Sequence, residues 1–363
     1  MPPIIDFLHA VKKTLGCECP RSLHVVLGNE ACDLDSAVSA LVYAFLLHSI
    51  HKDKLVVPVL NIPARDYLLR TEVKHWLHKH NIQQNSLVFR DEIELTKTGG
   101  VGLELSLVDH NVLANTDSHL DPSVVFVLDH HKLERPPGSA RVVVEPVGCC
   151  CTLVGEQLLD TNPSLLDHTT ASLLHGTILL DTVNLNEAAK RVTPKDVQMI
   201  DSLETYISPS PHRDQIFQEL TTAKKDVSDL TSEQLLRKDE KVVSGGGLTV
   251  GMASLPMMVQ EYLARAGVSE SLAEHSTSCH YDLIVLMGIS ISDQHVTRDL
   301  AIFSSDHSLR EKLVSELRGA EGGVLQLMPQ PSSVDHCEAF LQDNVGASRK
   351  VVLPLVRDWL SRM

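Results

Sequence analysis

Residues 23–36, which read LHVVLGNEACDLDS, decide the fold of this chain. Leu23 to Leu27 form a short apolar run that ends at a glycine, which is typical of a buried parallel strand. Beyond Ser36, apolar residues recur at 38, 41, 42, 45 and 46, which is the spacing of one helix face. A strand, a turn carrying Asp33 and Asp35, and a helix are therefore expected in direct succession.

The same alternation continues along the chain. Further apolar runs, each bounded by polar or turn residues, cover Leu55 to Leu60, Leu103 to Val108 and Val124 to Leu128. A second helix with an apolar face is predicted from Ser164 to Leu180. Alternating strands and helices predict an α/β domain with a doubly wound parallel sheet. In such a sheet, ligands bind beyond the carboxyl ends of the strands.

A domain boundary is predicted after a third helix. Thr193 and Pro194 suit the N-cap and first position of a helix that is expected to end near Tyr206. Residues 207–212 follow with two prolines, so we expect a catalytic domain over 1–208 and a second domain over 213–363. Helices at 214–224 and 232–238, a hairpin over 241–255 and strands at 281–291 and 299–304 predict a smaller mixed α/β C-terminal domain.

Composition excludes several classes of protein. With 43% hydrophobic and 22% charged residues, the 363-residue chain is expected to be globular. A formal net charge of −15 argues against a surface that binds nucleic acid. Eight cysteines without a signal peptide favour a reducing compartment, so we expect a cytoplasmic or nuclear location. No apolar run reaches 18 residues, so no membrane span is expected.

Four acidic clusters fall where predicted strands or helices end. They are Asp33 and Asp35, Asp109-His110-Asn111, Asp129-His130-His131, and Asp181. An Asp-x-Asp before a helix is, by itself, more often an N-cap. All four clusters together, at element ends within one domain, favour a site for two divalent metal ions, because carboxylates gathered in one cleft need cations to neutralise them.

The residue types suggest separate roles within this site. Asp33, Asp35, Asp109, His130 and Asp181 are expected to bind the metals, with Asp109 bridging both ions. His131 is expected to donate to a bound phosphate, whereas Asp129 and His110 are expected to orient the ligands. His24 lies within the first strand and is expected to be packed or hydrogen-bonded there.

In order and spacing, these clusters resemble the four motifs of the DHH phosphoesterase superfamily, in its family II inorganic pyrophosphatase branch. Within that branch, the segments GNEACDLDS (28–36), PVLNI (58–62), FRDE (89–92) and LHGTILLD (174–181) are similar to the animal prune proteins, which are short-chain exopolyphosphatases. The resemblance covers nearly the whole chain. The segments DVSDLT (226–231) and LLRKD (235–239) are similar to the opening of the family's C-terminal domain.

The resemblance implies that the second domain acts as a lid that binds substrate. Lys241, Arg349 and Lys350 match the positions from which the family's basic residues reach the phosphates. Closure about a hinge near residue 209 would bring them over the substrate and exclude water.

The resemblance also implies an unusual metal site at Asn29, where pyrophosphatases of this branch carry a histidine. An amide oxygen is the ligand that remains, and oxygen ligation suits Mg²⁺. We therefore expect two divalent ions, Mg²⁺ or Mn²⁺ with Co²⁺ as a further option, and a weaker preference for Mn²⁺ or Co²⁺ than in the bacterial enzymes.

The function expected from the resemblance and the site is hydrolysis of phosphoanhydride bonds in pyrophosphate and short polyphosphates by a hydroxide that bridges the two metals. Asp35, Asp109 and His131 would act catalytically, and His131, Lys241, Arg349 and Lys350 would bind substrate.

Two alternatives stay open. The same site could hydrolyse cyclic nucleotides, because a two-metal core does not choose among phosphate esters. The chain could also be an interaction scaffold with weak hydrolysis, which the missing histidine at 29 supports. A nuclease is disfavoured by the net charge and by Leu248, which follows Gly245 to Gly247 where the nucleases of the superfamily carry histidine. Protein partners are not indicated by the sequence.

Overall fold

The structure is a computed structural model that describes residues 3–17, 22–95, 102–135, 138–292 and 295–363, without the side chains of Cys17 and Glu321. These residues form two compact units, Met1–Asp226 and Val227–Met363. No helix in the described ranges combines the length and apolarity that crossing a membrane requires.

The described residues of the first unit form five strands and seven α-helices. The strands are β1 (Ser22–Leu27), β2 (Leu55–Val59), β3 (Gly102–Val108), β4 (Val124–Asp129) and β5 (Arg141–Val144). The helices are α1 (Pro3–Cys17), α2 (Leu34–Ile50), α3 (Thr71–Lys79), α4 (Cys150–Thr161), α5 (His168–Asp181), α6 (Pro194–Glu204) and α7 (Arg213–Lys225). All four predicted strands are present, and the second predicted helix begins later than expected, at His168 rather than Ser164, because the Asp167 side chain caps it by accepting from the Thr170 amide.

The five strands form a sheet that is parallel throughout, in the order β2-β1-β3-β4-β5. This confirms the predicted doubly wound α/β class. Leu27 pairs with Leu107 and Val108 pairs with Leu128, so the carboxyl ends of β1, β3 and β4 lie side by side. The chain reverses its winding direction between β1 and β3, which is where such sheets bind ligands.

The β1–α2 turn shows how the sequence positions this edge of the sheet. A Cβ atom on Gly28 would lie 2.3 Å from the Ser36 hydroxyl, so only glycine allows the start of α2 to approach the end of β1. The Asn29 amide then donates to the Ser36 oxygen at 2.7 Å. Most of α2 is buried, including residues 34–47, which fixes the turn against the core.

The second unit contains a six-stranded mixed sheet in the order β10-β11-β9-β8-β7-β6, in which only the β7–β8 pair is parallel. The strands are β6 (Glu240–Gly245), β7 (Leu248–Leu255), β8 (Leu283–Ser292), β9 (His295–Phe303), β10 (Leu327–Gln330) and β11 (Cys337–Gln342). The helices are α8 (Ser232–Lys238), α9 (Val259–Leu263), α10 (Val268–Ser278), α11 (His307–Gly319) and α12 (Arg349–Leu360). The predicted mixed α/β class and the hairpin around the glycines are confirmed.

The boundary between the units differs from the prediction. The chain divides between Asp226 and Val227 rather than between residues 208 and 213. Helix α7 belongs to the first unit because its Leu220 is fully buried in that core and its Glu219 pairs with Lys79 of α3. The predicted hinge near residue 209 therefore lies inside the first unit.

Candidate active site

A cleft of about 480 Å³ opens at the carboxyl edge of the first unit's sheet. It is lined by Asn29, Asp33, Asp35, Asp109, His130, His131, Pro146, Val147, Gly148, Asp181, Lys190, Arg191, Val192 and Thr193. Every residue that the sequence assigned to the first domain's metal or catalytic set lines this one cleft. The strand order explains this for three of the clusters, which follow strands with adjacent ends, whereas Asp181 lines the cleft from the end of α5.

The two carboxylates of the β1–α2 turn have different partners. Asp33 is the N-cap of α2 and accepts from the Ser36 amide at 3.2 Å, so it has the capping role as well as facing the cleft. Asp35 is buried and accepts from the backbone amides of Cys150 and Cys151 at 2.6 and 2.9 Å. These donors belong to the first turn of α4, where amides have no partner within the helix and attract negative charge.

Asp109 occupies the centre of the cleft. Its backbone adopts a left-handed conformation with φ of 61°, directly after β3, and its side chain is 3% exposed. Its Oδ1 lies 3.2 Å from the Nε2 of His130, and the Nε2 lies 3.6 Å from the Asp35 Oδ2. Asp109 Oδ1 is buried without a hydrogen-bond partner among the described residues.

The tautomer of His130 makes this arrangement a cation site. Its Nδ1 lies 2.9 Å from the Val147 carbonyl, to which it donates, so Nε2 is the ring nitrogen that is left to bind a cation through its lone pair. That lone pair faces carboxylate oxygens of Asp35 and Asp109, so three acceptors converge on one point. Acceptors meet in this way when a cation lies between them, and imidazole with carboxylates is a donor set that divalent metals accept.

The electrostatics of the cleft lead to the same conclusion. Burial, followed by repulsion from Asp35 and Asp33, raises the pKa of both Asp109 and Asp181 well above the usual range. Burial and the neighbouring Asp35 also raise the pKa of Asp33. Without cations, these carboxyl groups resist ionisation together. The residues therefore fit divalent metal ions.

Asp129 and His131 form a hydrogen-bonded pair beside the cleft. The His131 Nδ1 donates to the Asp129 Oδ1 at 2.8 Å, and the buried Asn111 donates to the Asp129 Oδ2 at 2.6 Å. Burial opposes ionisation of Asp129, but these hydrogen bonds outweigh it and lower its pKa to about 2. The bond to Asp129 in turn raises the pKa of His131, whose side chain is 56% exposed. His131 is thus held as a donor that faces the cleft.

The orientation of Asn29 differs from that predicted for a metal ligand. Its oxygen accepts from the Cys32 amide at 3.0 Å. This contact distinguishes the oxygen of the side-chain amide from its nitrogen. Its Nδ2 therefore donates to the Asp109 Oδ2 at 2.8 Å. Asn29 presents N–H groups to the carboxylates instead of an oxygen to a metal, because the turn's own backbone uses that oxygen.

Two other histidines are not among the residues that line the cleft. The His110 Nδ1 donates to the Val108 carbonyl at 2.9 Å, within its own strand end, and its role in orienting a ligand stays a prediction. His24 is 5% exposed and its Nε2 lies 2.8 Å from the Ser106 hydroxyl, which agrees with the packed role predicted for it.

Sequence reasoning missed two parts of the cleft wall. One is the start of α4, whose amides hold Asp35. The other is the segment from Lys190 to Thr193, which lines the cleft directly. The fully buried Asp196 joins the two parts, since its Oδ2 accepts from the amides of Gly148 and Thr193 at 2.8 and 2.7 Å. The capping box that Thr193 and Asp196 form was a signal for this contact in the sequence.

The three basic residues assigned to the lid lie in the second unit. Arg349 begins α12 and pairs with Asp239 at 2.7 Å, and it also donates to the Ser254 hydroxyl at 3.1 Å. Lys241 on β6 and Lys350 on α12 are exposed. Arg349 is thus oriented by Asp239, which lies two residues before Lys241.

Comparison with known proteins gives two domain matches that follow the two units closely. Residues 24–178 match the DHH family N-terminal domain, and residues 218–359 match the DHHA2 domain. The chain is 42% identical over 347 residues to Exopolyphosphatase PRUNE1 of Bos taurus, covering 94% of this chain and 76% of the relative.

More distant relatives are pyrophosphatases by name. The chain is 25% identical over 267 residues to the Manganese-dependent inorganic pyrophosphatase of Methanothrix thermoacetophila, covering 72% of this chain and 79% of the relative. The crystal structure of a Methanococcus jannaschii protein assigned to the family II inorganic pyrophosphatases superposes with a TM-score of 0.52 at 22% identity, over 93% of this chain and 99% of that one, and shows a shared fold. The chain therefore belongs to the family of DHH–DHHA2 proteins that contains the PRUNE1 exopolyphosphatases.

Proposed function

We propose that this chain is a metal-dependent hydrolase that cleaves phosphoanhydride bonds in pyrophosphate and short-chain polyphosphates. The observation that carries the proposal is the convergence of lone pairs from Asp35, Asp109 and His130, with a buried Asp109 oxygen that has no hydrogen-bond partner among the described residues. The printed names of the relatives, an exopolyphosphatase and an inorganic pyrophosphatase, give the substrate class.

Two divalent ions would be held by Asp33, Asp35, Asp109, His130 and Asp181. When bound, such ions activate water and neutralise charge on phosphoryl oxygens. Four carboxylates and one imidazole form an oxygen-rich set, so we expect Mg²⁺ to support activity alongside Mn²⁺. Asn29 is assigned to holding the Asp109 carboxylate in place rather than to the metals.

The remaining residues bind and orient the substrate. The hydrogen bond to Asp129 raises the pKa of His131, which favours the protonated ring that can donate to a phosphoryl oxygen in the cleft. Lys241, Arg349 and Lys350 are proposed to neutralise further phosphoryl oxygens from the second unit. A guanidinium that Asp239 orients can donate to such an oxygen with its free edge.

The test is a side-by-side assay of pyrophosphate, tripolyphosphate, long polyphosphate and cyclic AMP, each with Mg²⁺ and with Mn²⁺. Asp181→Ala should abolish phosphoanhydride hydrolysis. The matched control is Asp160→Ala, which removes an exposed carboxylate at the end of α4 and should leave activity unchanged.

Two outcomes would favour the alternatives. Turnover of cyclic AMP above that of every phosphoanhydride would make the chain a cyclic-nucleotide phosphodiesterase. Equal weak turnover by the wild type and Asp181→Ala would indicate an interaction scaffold. Loss of activity on chelation, with recovery on adding back either metal, is the expected result.

A further inference from the structure

Two basic side chains, Lys190 and Arg191, line the cleft that holds the four carboxylates, although no metal or lid role was assigned to them. Both are exposed, and neither side chain forms a hydrogen bond or an ion pair with the described residues. Lys195, close by in the same segment, behaves differently, because it pairs with Glu145 and Glu156 at 2.6 and 2.9 Å. The two cleft cations are therefore free to bind an anionic ligand.

The backbone holds these cations at the cleft from both ends. The segment leaves Asp181 through three consecutive left-handed residues, Val183, Asn184 and Leu185, and Lys190 is left-handed as well. The buried Thr182 hydroxyl closes this turn by accepting from the Leu185 amide at 3.2 Å. A left-handed conformation is costly for a β-branched residue such as Val183, so the packed surroundings must impose it.

At the other end, the backbone at Arg191 packs directly on Gly148. A Cβ atom on Gly148 would lie 2.6 Å from the Arg191 carbonyl oxygen. Gly148 lies just before α4, whose first amides hold Asp35, so this contact places the backbone of Arg191 beside the segment that leads into α4. The backbone that carries the two cations is thus packed next to an element that positions a proposed metal ligand.

Charge and size indicate what these cations bind. A cleft of about 480 Å³ falls within the range of sites that hold ligands well above the size of pyrophosphate. The divalent ions that the carboxylates would hold, together with His131, would engage the phosphoryl groups at the reacting end. Each additional phosphoryl unit of a longer chain brings more negative charge, which lysine and arginine neutralise by charge-assisted hydrogen bonds.

We infer that Lys190 and Arg191 bind the phosphoryl groups beyond the second and so determine specificity for tripolyphosphate and longer chains over pyrophosphate. This inference rests on the proposed function and adds a substrate subsite contributed wholly by the first unit. Because the pair touches the distal part of the substrate, it should act on binding and leave the chemical step on pyrophosphate nearly unchanged.

The experiment compares initial rates on pyrophosphate and tripolyphosphate for the wild type and the variants Lys190→Met, Arg191→Met and the double variant. The double variant should lose roughly 10- to 100-fold in kcat/KM for tripolyphosphate, mainly through KM, as expected for two charge-assisted contacts, and less than about threefold for pyrophosphate. Arg191→Lys should recover part of the loss. Lys195→Gln is the matched control, since it removes one positive charge from the same segment but outside the lining of the cleft.

Binding supplies a second readout. In a calorimetric titration, an imidodiphosphate analogue should bind the wild type and the double variant alike, whereas the imidotriphosphate analogue should bind the double variant more weakly. Equal losses on both substrates, or no loss on either, would overturn the assignment of the pair. Wild-type turnover of neither substrate would refute the proposed function, and the subsite with it. If the double variant fails to fold by circular dichroism, the single variants decide the question by the same criteria.

Discussion

The buried carboxylate of Asp196 gives a prediction that separates hydrogen-bond geometry from charge. Its Oδ2 accepts from the amides of Gly148 and Thr193 and from the Thr193 hydroxyl, whereas its Oδ1 accepts only from the Thr152 hydroxyl at 2.6 Å. Asparagine can place its oxygen at the Oδ2 position and its NH₂ towards Thr152, because a hydroxyl can accept as well as donate. Alanine can replace neither acceptor.

The two substitutions should therefore differ in their effect on the free energy of unfolding. Asp196→Asn keeps the amide contacts and loses only the charge assistance, which is expected to cost about 1 kcal/mol. Asp196→Ala leaves two backbone amides without an acceptor at a site that is fully buried, which is expected to cost about 3–5 kcal/mol. The Asn variant should also retain most pyrophosphate hydrolysis, whereas the Ala variant should lose it as the start of α4 shifts away from Asp35.

Urea unfolding followed by tryptophan fluorescence measures this difference. The chain has two tryptophans, and a Trp359→Phe background leaves Trp76, which is buried in the first unit, as the reporter of that unit alone. Equal destabilisation by Asn and Ala would show that the charge, and not the pattern of acceptors, holds the two walls of the cleft. If Asp196→Ala lowered the free energy of unfolding by less than about 1 kcal/mol, Asp196 would not be what holds the Gly148 and Thr193 segments together.

Three further predictions concern single positions. Asn29→His should raise the affinity for Mn²⁺ relative to Mg²⁺ in calorimetric titration, because it adds an imidazole lone pair beside Asp109; unchanged preference would mean that a side chain at 29 does not reach the metals. Burial lowers the pKa of His24 to about 4, below the unfolded value of about 6.5, so its stabilising contribution is complete above pH 6.5 and is lost as the pH falls towards 4. Between pH 7.5 and 5, His24→Gln should lose about 2 kcal/mol less stability than the wild type in urea titrations, and parallel pH profiles would contradict this. Gly176→Ala would place a Cβ atom 2.2 Å from the buried Trp76 ring and should lower the free energy of unfolding by about 1–3 kcal/mol. Gly16→Ala is the control, because a Cβ atom there meets nothing within 4 Å. Similar thermal midpoints for both variants would count against the packing argument.

Most of the fold was predictable because its signals are local. The apolar runs that become β1 to β4, and the capping residues Thr193 and Asp33, act within a few residues of chain. The domain boundary was predicted too early because the two prolines in 207–212 are typical of a linker, whereas the burial of Leu220 that assigns α7 to the first unit depends on packing between elements distant in the chain.

The sequence by itself determined that the acidic clusters and His130 meet at one cleft. Parallel strands with adjacent carboxyl ends must bring the residues that follow them together, so Asp33, Asp35, Asp109 and His130 could be assigned to one site from their places in the chain. The tertiary structure alone decided how these groups are used. The direction of the Asn29 amide depends on the Cys32 backbone, and the presence of Lys190 and Arg191 at the cleft depends on a left-handed turn and on the packing of Gly148. Contacts of this kind join atoms whose distances are set by packing between elements, and residue type and spacing do not encode them.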